Sequence, residues 1–199
     1  MEKYTIFNYK IARTHCKDSL IYKSSEITAG LAKLFSDPNL CPCLDDQNGE
    51  GISTFRLKDY FLFKDVDGID PFKQWFTDQA LNVCDYFNKP NATGITIYRA
   101  WANKIFKGCS GNVHDHDPDS DAMAVFYPLA PEGSADFGLV KDGWAHAKNH
   151  ELPAENIAWQ NVTEGDLLFH ETRAWHTVSE HNADSPRIVF VIEFTYTFD

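Results

Sequence analysis

Hydrophobic and polar residues follow one period in the first 90 residues of the chain and a different period in the rest. Near the N-terminus, apolar residues recur about every three to four positions in two segments, which predicts helices over Ser25–Phe35 and Asp70–Phe87. From residue 94 onward, short runs rich in Val, Ile, Phe, Tyr and Trp are separated by Gly, Pro, Asp and Asn. These runs predict seven strands: Gly94–Phe106, Ala122–Leu129, Ala135–Val140, Asn156–Val162, Asp166–His170, Trp175–Ser179 and Arg187–Phe198.

The order of these elements predicts a mainly β fold with N-terminal helices. Strands that follow one another without intervening helices form antiparallel sandwiches or barrels, and we expect a double-stranded β-helix, or jelly roll. A chain of 199 residues suits one domain. We therefore predict a single domain over 1–199, in which residues 1–90 form a buttress of helices and loops and residues 91–199 form the jelly-roll core.

The composition is that of an acidic protein with enough apolar material for a packed core. The net charge is −11, and hydrophobic residues make up 43% of the chain. Excess negative charge repels nucleic acids and anionic membranes at long range, and no apolar run approaches the roughly 20 residues that span a bilayer. We expect neither partner. The five cysteines and the lack of a cationic segment followed by an apolar one favour a reduced, cytoplasmic location.

Two histidines that stand two positions apart, His114 and His116, are the most specific local feature. Side chains two apart in extended backbone point to the same face, so this pair could chelate one ion. A third histidine, His176, lies on a predicted strand about 60 residues later. Divalent iron favours imidazole and carboxylate ligands on one face, which leaves the opposite positions open. We therefore predict that these three histidines bind a metal ion, within residues 91–199.

A lone arginine, Arg187, begins the last and otherwise apolar strand, RIVFVIEF. Its guanidinium is a planar fork that matches a carboxylate, so it could hold the far end of a dicarboxylate cosubstrate. The alternative is a charge on an edge strand that faces solvent.

The order and spacing of these motifs resemble those of the 2-oxoglutarate- and iron(II)-dependent oxygenases, most closely the small branch found in marine bacteria and their phages. The resemblance covers about residues 97–195 and rests on Trp101-Ala102-Asn103, Lys107-Gly108, His114-x-His116-x-Pro118-x-Ser120, Val125-Phe126-Tyr127, Glu164 to Phe169, His176-Thr177-Val178, Arg187 and Glu193-Phe194. It implies a jelly-roll dioxygenase that uses Fe(II) and 2-oxoglutarate to hydroxylate a small-molecule or peptidyl substrate.

The resemblance also implies a role for individual residues around the cosubstrate. Arg187 would bind the distal carboxylate of 2-oxoglutarate, and Tyr127 would donate a hydrogen bond to the same carboxylate. Asn103 would reach the cosubstrate or an iron-bound water.

The metal site departs from the family pattern at one position. His114 and His176 match the two histidine ligands, but His116 stands where the prolyl hydroxylases have an aspartate. A carboxylate from Asp115 or Asp117 could complete the site instead, although strand alternation favours His116.

Two other classes of protein stay open. One is a cupin-like metalloprotein with three histidine ligands, acting as an isomerase or as a dioxygenase without a cosubstrate. The other is a non-catalytic jelly roll that binds a ligand or a protein. The prime substrate, the native metal and the oligomeric state, including a homodimer, are not fixed by the sequence.

Overall fold

The computed structural model describes residues 1–37, 41–42, 47–48, 51–55, 61–116, 119–142, 144 and 151–199. Its strands are β1 Glu2–Ile6, β2 Tyr9–His15, β3 Cys41–Pro42, β4 Gln47–Asn48, β5 Gly51–Ser53, β6 Gly94–Ile105, β7 Ser110–Gly111, β8 Ala122–Leu129, β9 Phe137–Val140, β10 Ile157–Gln160, β11 Asp166–His170, β12 His176–Val178 and β13 Arg187–Thr197. Its helices are α1 Leu20–Lys23, α2 Ser25–Leu34, α3 Leu62–Asp65 and α4 Asp70–Leu81, with a 3₁₀ turn at Ala154–Asn156. All seven predicted strands are present, and their ends differ from the prediction by at most two residues.

The strands form the jelly roll that the sequence predicts. The large antiparallel sheet has the order β1-β2-β11-β8-β13-β6-β5-β3, and a smaller sheet has the order β10-β9-β12. From β6 to β13 the chain crosses repeatedly between the two sheets, so that β13 inserts between β6 and β8. An isolated bridge between His114 and His176 joins the segment after β7 to β12. The two sheets thereby enclose an interior space.

The large sheet is covered on both of its faces, which explains why β8 and β13 read as continuous apolar runs rather than as alternating ones. On one face Phe126 and Phe190 pack under α4, and the ring of Phe72 lies 4.5 Å and 5.6 Å from them. On the other face Val125 and Val191 belong to a second apolar cluster, which lies between the sheets.

Both predicted helices are present, but the second ends before the predicted Phe87. Ser24 caps α2 by accepting a hydrogen bond from the N–H of Ile27. After Leu81 the backbone continues in tighter turns, and Asn88 has a positive φ of 61°. The apolar period persists through these turns because Val83 and Phe87 stay buried. None of the helices in the described residues has the length and hydropathy needed to cross a membrane.

The first 90 residues contribute strands as well as the expected helices and loops. β1 and β2 form a hairpin that extends the large sheet beyond β11. Its turn is Phe7-Asn8, where both residues have positive φ, as the type I′ turn of a two-residue hairpin requires. An alternation of Tyr4, Ile6, Tyr9 and Ile11 marks this hairpin in the sequence, but the signal is short and its turn lacks a glycine.

Candidate metal centre

The three predicted metal ligands come together at one end of the small sheet. His114 and His176 are paired through their backbones, with N···O distances of 3.0 Å and 2.9 Å. The backbone N–H of His116 donates to the carbonyl of Thr172 at 3.0 Å, which continues the extended segment. As a result, one potential ligand atom from each of the three imidazoles lies within 4.8 Å of the others.

Hydrogen bonds select the same tautomer in all three imidazoles. Nδ1 of His114 lies 2.9 Å from the carbonyl of Asn112, and Nδ1 of His176 lies 2.9 Å from the carbonyl of Ala174. A carbonyl only accepts, so in each ring Nδ1 carries the proton. Nδ1 of His116 lies 2.8 Å from Oε1 of Glu193, a carboxylate oxygen that also accepts. Each ring therefore keeps a lone pair on Nε2, which is the arrangement found in histidine ligands of metals.

The spacing of these lone pairs fits a shared cation. Nε2 of His116 and Nε2 of His176 are 3.3 Å apart. Metal–nitrogen distances of about 2.0–2.1 Å would put two ligand nitrogens about 2.9 Å apart at a right angle and about 3.4 Å apart in a tetrahedron. Two lone pairs this close repel one another unless a cation lies between them. The donor set therefore fits a divalent metal ion.

Burial keeps the imidazole of His176 in the neutral form that metal binding requires. Desolvation lowers the pKa of His176 well below its usual value, and the nearby imidazoles of His114, His170 and His116 lower it further. His170 is also buried, with a pKa lowered to about 3, mainly by desolvation. Its ring lies 4.8 Å from that of His176, but it is outside the group of converging ligand atoms and belongs to the core.

The aspartates that were alternatives to His116 do not join this group. Asp115 is exposed and contributes no converging atom, although it borders the cavity next to the histidines. Asp117 lies outside the described residues.

A cavity of about 320 Å³ connects the histidines to the other predicted site residues. Its walls are mostly apolar, and its polar lining includes the three histidines, Asn103, Tyr127 and Arg187. Strand alternation explains this grouping, because Arg187, Val189 and Val191 project from the same face of β13. The cavity is large enough for a small ligand.

Arg187 is a buried cation rather than an edge charge in solvent, so the solvent-facing alternative is wrong. The residue is 2% exposed, and its Nη1 donates to the carbonyl of Ala135 at 2.7 Å. Its Nε is buried and has no hydrogen-bond partner among the residues that the structure describes. Desolvation lowers the pKa of this guanidinium. A buried guanidinium with unused donors fits an anionic ligand, because an unpaired buried charge is strongly unfavourable.

Two neutral hydrogen-bond donors accompany this arginine. The Cζ of Arg187 lies 5.6 Å from the centroid of the Tyr127 ring. Burial raises the pKa of Tyr127, so the phenol keeps its proton and can donate it. The hydroxyl of Ser53 accepts from the N–H of Phe55 and donates to Oδ1 of Asn103 at 2.6 Å. Asn103 thus keeps its Nδ2–H donors for the cavity.

Sequence reasoning assigned no role to Glu193, the buried carboxylate beside His116. Glu193 is six positions after Arg187 in β13, so strand alternation puts both charged side chains on the same face. Two charges of the same parity in an otherwise apolar strand were the available signal.

No family model matches this chain, and no curated protein is similar to it in sequence. Solved structures with the same architecture do exist. An oxidoreductase of the 2OG-Fe(II) oxygenase family from Burkholderia pseudomallei superposes with a TM-score of 0.60 at 13% identity, over 92% of this chain and 85% of that chain. The chain has the fold of the 2-oxoglutarate- and iron(II)-dependent oxygenases.

Two further solved structures with this fold contain a bound peptide or bound small ligands. A prolyl hydroxylase from Trichoplax adhaerens, in complex with a hypoxia inducible factor peptide, has a TM-score of 0.59 at 13% identity and covers 94% of this chain and 83% of its own. HygX from Streptomyces hygroscopicus, with nickel and 2-oxoglutarate bound, has a TM-score of 0.55 at 13% identity and covers 96% of this chain and 83% of its own. The finer resemblance to the marine bacterial and phage branch stays a prediction.

Proposed function

We propose that this protein is an Fe(II)- and 2-oxoglutarate-dependent dioxygenase that hydroxylates a small-molecule or peptidyl substrate. One observation carries the proposal: a buried arginine with an unused donor opens into the same cavity as three imidazoles with converging lone pairs. Metal ligands alone would fit the cupin-like alternative equally well. That alternative assigns no task to a buried guanidinium in the same cavity.

In this proposal His114, His116 and His176 are the metal ligands. Their Nδ1–H groups are already hydrogen-bonded, which fixes each ring with Nε2 toward the ion. Iron(II) would supply the oxygen-activating chemistry, together with the oxidative decarboxylation of 2-oxoglutarate.

The other polar residues of the cavity would bind and orient the cosubstrate. Arg187 would hold its distal carboxylate with the guanidinium edge that no described residue uses, and Tyr127 would donate a second hydrogen bond to it. Asn103 would donate from the neighbouring strand. The apolar walls formed by side chains such as Val125 and Val191 would exclude water from the site, which strengthens these polar contacts.

Several properties of the whole molecule belong to the same proposal. We propose one domain over residues 1–199 with its metal site in residues 91–199, and a cytoplasmic location. The free thiols of Cys16 and Cys84 support a reducing compartment. The net charge of −11 argues against a nucleic-acid partner. A peptidyl substrate has a precedent in the prolyl hydroxylase neighbour, which binds a peptide.

Thermal unfolding of the metal-free protein with added ligands tests this function. We expect 2-oxoglutarate to raise the melting temperature only when Ni(II), or Fe(II) without oxygen, is present. At 100 times Kd the stabilisation is about 2.7 kcal/mol, which corresponds to about 5–10 °C for a protein of this size. Glutarate, which lacks the keto oxygen that chelates the metal, is the matched control. A rise with metal alone and no further rise with 2-oxoglutarate would favour the cupin-like protein.

A further inference from the structure

The three histidines differ in what accepts their Nδ1–H. His114 and His176 donate to backbone carbonyls, whereas His116 donates to the side chain of Glu193 at 2.8 Å. Glu193 is 1% exposed. It lies in β13, where its neighbours on the same face include the apolar residues Val189 and Val191. A carboxylate is unfavourable in such a place unless it serves a partner.

The carboxylate of Glu193 carries the one negative charge that a site of three neutral histidines lacks. In a site with two neutral histidines and one carboxylate ligand, the charges of the divalent ion, the carboxylate ligand, a doubly charged 2-oxoglutarate and one arginine sum to zero. Three neutral imidazoles leave that sum at plus one. Glu193 restores the missing negative charge, because it stands one imidazole ring away from the Nε2 of His116.

A hydrogen bond from Nδ1–H to a carboxylate acts on the metal through the ring. It makes Nε2 a stronger electron donor and fixes the orientation of the imidazole. The burial of Glu193 strengthens this effect, since charges in a protein interior are poorly screened by solvent.

Arg99 opposes the charge of Glu193 from the neighbouring strand β6. Arg99 is its cross-strand partner in β6, and Nη1 of Arg99 lies 4.0 Å from Oε2 of Glu193. The Arg99 side chain is 39% exposed and its guanidinium lies 4.2 Å from the centroid of the Phe55 ring. Solvent and salt therefore screen the attraction between Arg99 and Glu193 in part but do not abolish it.

We propose that Glu193 is a positioning residue that supplies to the metal, through His116, the negative charge of the carboxylate ligand that His116 replaces. The inference rests on the proposed function, because it requires His116 to bind the metal. It predicts that the charge of Glu193 sets the affinity of the site for a divalent cation. It further predicts that a carboxylate placed directly on the metal makes Glu193 dispensable.

Metal affinity in two variants tests this inference. Glu193→Gln keeps the shape and an acceptor oxygen for His116 but removes the charge. Calorimetric titration of Fe(II) without oxygen, and of Co(II), into the metal-free variant should give a Kd about 10- to 100-fold higher than that of the wild type. The double variant H116D/E193Q returns a carboxylate to the ligand position and should recover an affinity within about threefold of the wild type.

The outcomes separate this inference from the proposed function. If wild-type protein binds Fe(II) and then 2-oxoglutarate while Glu193→Gln binds both equally well, the inference is wrong and the proposed function stands. If wild-type protein binds no Fe(II), the proposed function is wrong, and the inference that rests on it is wrong as well. A loss of affinity in Glu193→Gln that H116D does not rescue would mean that Glu193 only supports the fold, which also overturns the inference.

A third variant tests the effect of the Glu193 charge on the metal while the hydrogen bond between His116 and Glu193 stays intact. This test does not require that Glu193→Gln folds. Arg99→Gln removes the opposing cation and leaves Glu193 and His116 in place. We expect its affinity for Fe(II) at low ionic strength to rise about two- to fivefold, with a smaller rise at high salt. An unchanged affinity at low salt would show that charge at this position does not reach the metal, and would overturn the inference.

Discussion

The two faces of β13 differ in polarity and in packing, although the side chains of the same eleven residues point alternately to one face and the other. On the face toward α4, Phe190 and Phe194 join a layer of aromatic rings within the larger apolar cluster. On the face toward the cavity, Arg187 and Glu193 are both buried at opposite ends of the row. One face is packed hydrocarbon, and the other holds buried charges beside a cavity.

The difference shows how one strand divides stability from function. Close packing under α4 stabilises the fold through buried apolar area. A cavity lined by unpaired donors and imidazole lone pairs contributes little stability or opposes it, since buried polar groups need partners. Substitutions on the outer face should therefore change unfolding and spare binding, and substitutions on the inner face should do the opposite.

The largest expected effect is on the outer face. Phe190→Ala removes a fully buried ring between Phe72 and Phe126, and we expect a loss of about 3–5 kcal/mol in the free energy of unfolding. Urea unfolding of the metal-free protein measures it. Phe198→Ala is the matched control, because Phe198 is 54% exposed and its truncation should change stability by less than about 0.5 kcal/mol. Similar losses in the two variants would contradict the assignment of the core.

Arg187→Met should reverse this pattern on the inner face. We expect the Kd of 2-oxoglutarate for the Ni(II)-loaded protein to rise at least about 30-fold, because truncating one partner of a buried charge pair costs about 2–5 kcal/mol. Stability of the metal-free protein should be unchanged or higher, since a buried charge with an unused donor is lost. Arg173→Met is the control, with a side chain that is 63% exposed. Cosubstrate affinity that survives in Arg187→Met would refute its proposed role.

Acid should lower the free energy of unfolding through His170, a buried histidine of β11 beside the metal ligands. Its pKa of about 3 in the folded protein lies below the usual 6.5, so the unfolded chain binds a proton that the folded chain does not. The stability tied to neutral His170 is complete above pH 6.5 and is lost as pH falls toward 3. At pH 5 the loss is about 2 kcal/mol. Between about pH 7.5 and pH 5, metal-free His170→Phe should therefore lose about 2 kcal/mol less than the wild type, and an equal loss would contradict this account.

The smallest effect should come from Tyr127→Phe, which removes one neutral hydrogen bond from the cosubstrate. We expect the Kd of 2-oxoglutarate to rise about five- to tenfold, in line with about 1 kcal/mol for such a bond. Tyr98→Phe, on the 56% exposed Tyr98, should leave this Kd unchanged. A loss as large as that of Arg187→Met would mean that the phenol, and not the guanidinium, carries recognition of the carboxylate.

The sequence predicts the centre of the jelly roll well because β8, β11 and most of β13 are buried on both faces and stand out as apolar runs. β8 and β11 have the predicted ends. The role of Glu193 could not be predicted in the same way, because its spacing from Arg187 indicates a shared face but does not identify His116 as its partner. The spacing of His114 and His116 predicts a shared face, but their meeting with His176 depends on a pairing across the small sheet. The hydrogen bond from Ser53 to Asn103 depends on β5, a three-residue strand with too short a pattern to read.

Anaerobic titration of Fe(II) and 2-oxoglutarate into the metal-free protein tests the central claim most directly, through the weak visible charge-transfer band of the iron chelate. We predict this band in the wild type, its absence in His176→Ala and its weakening in Arg187→Ala. A wild-type protein that binds Fe(II) tightly and shows no band on addition of 2-oxoglutarate would contradict the oxygenase proposal and favour a three-histidine cupin-like protein.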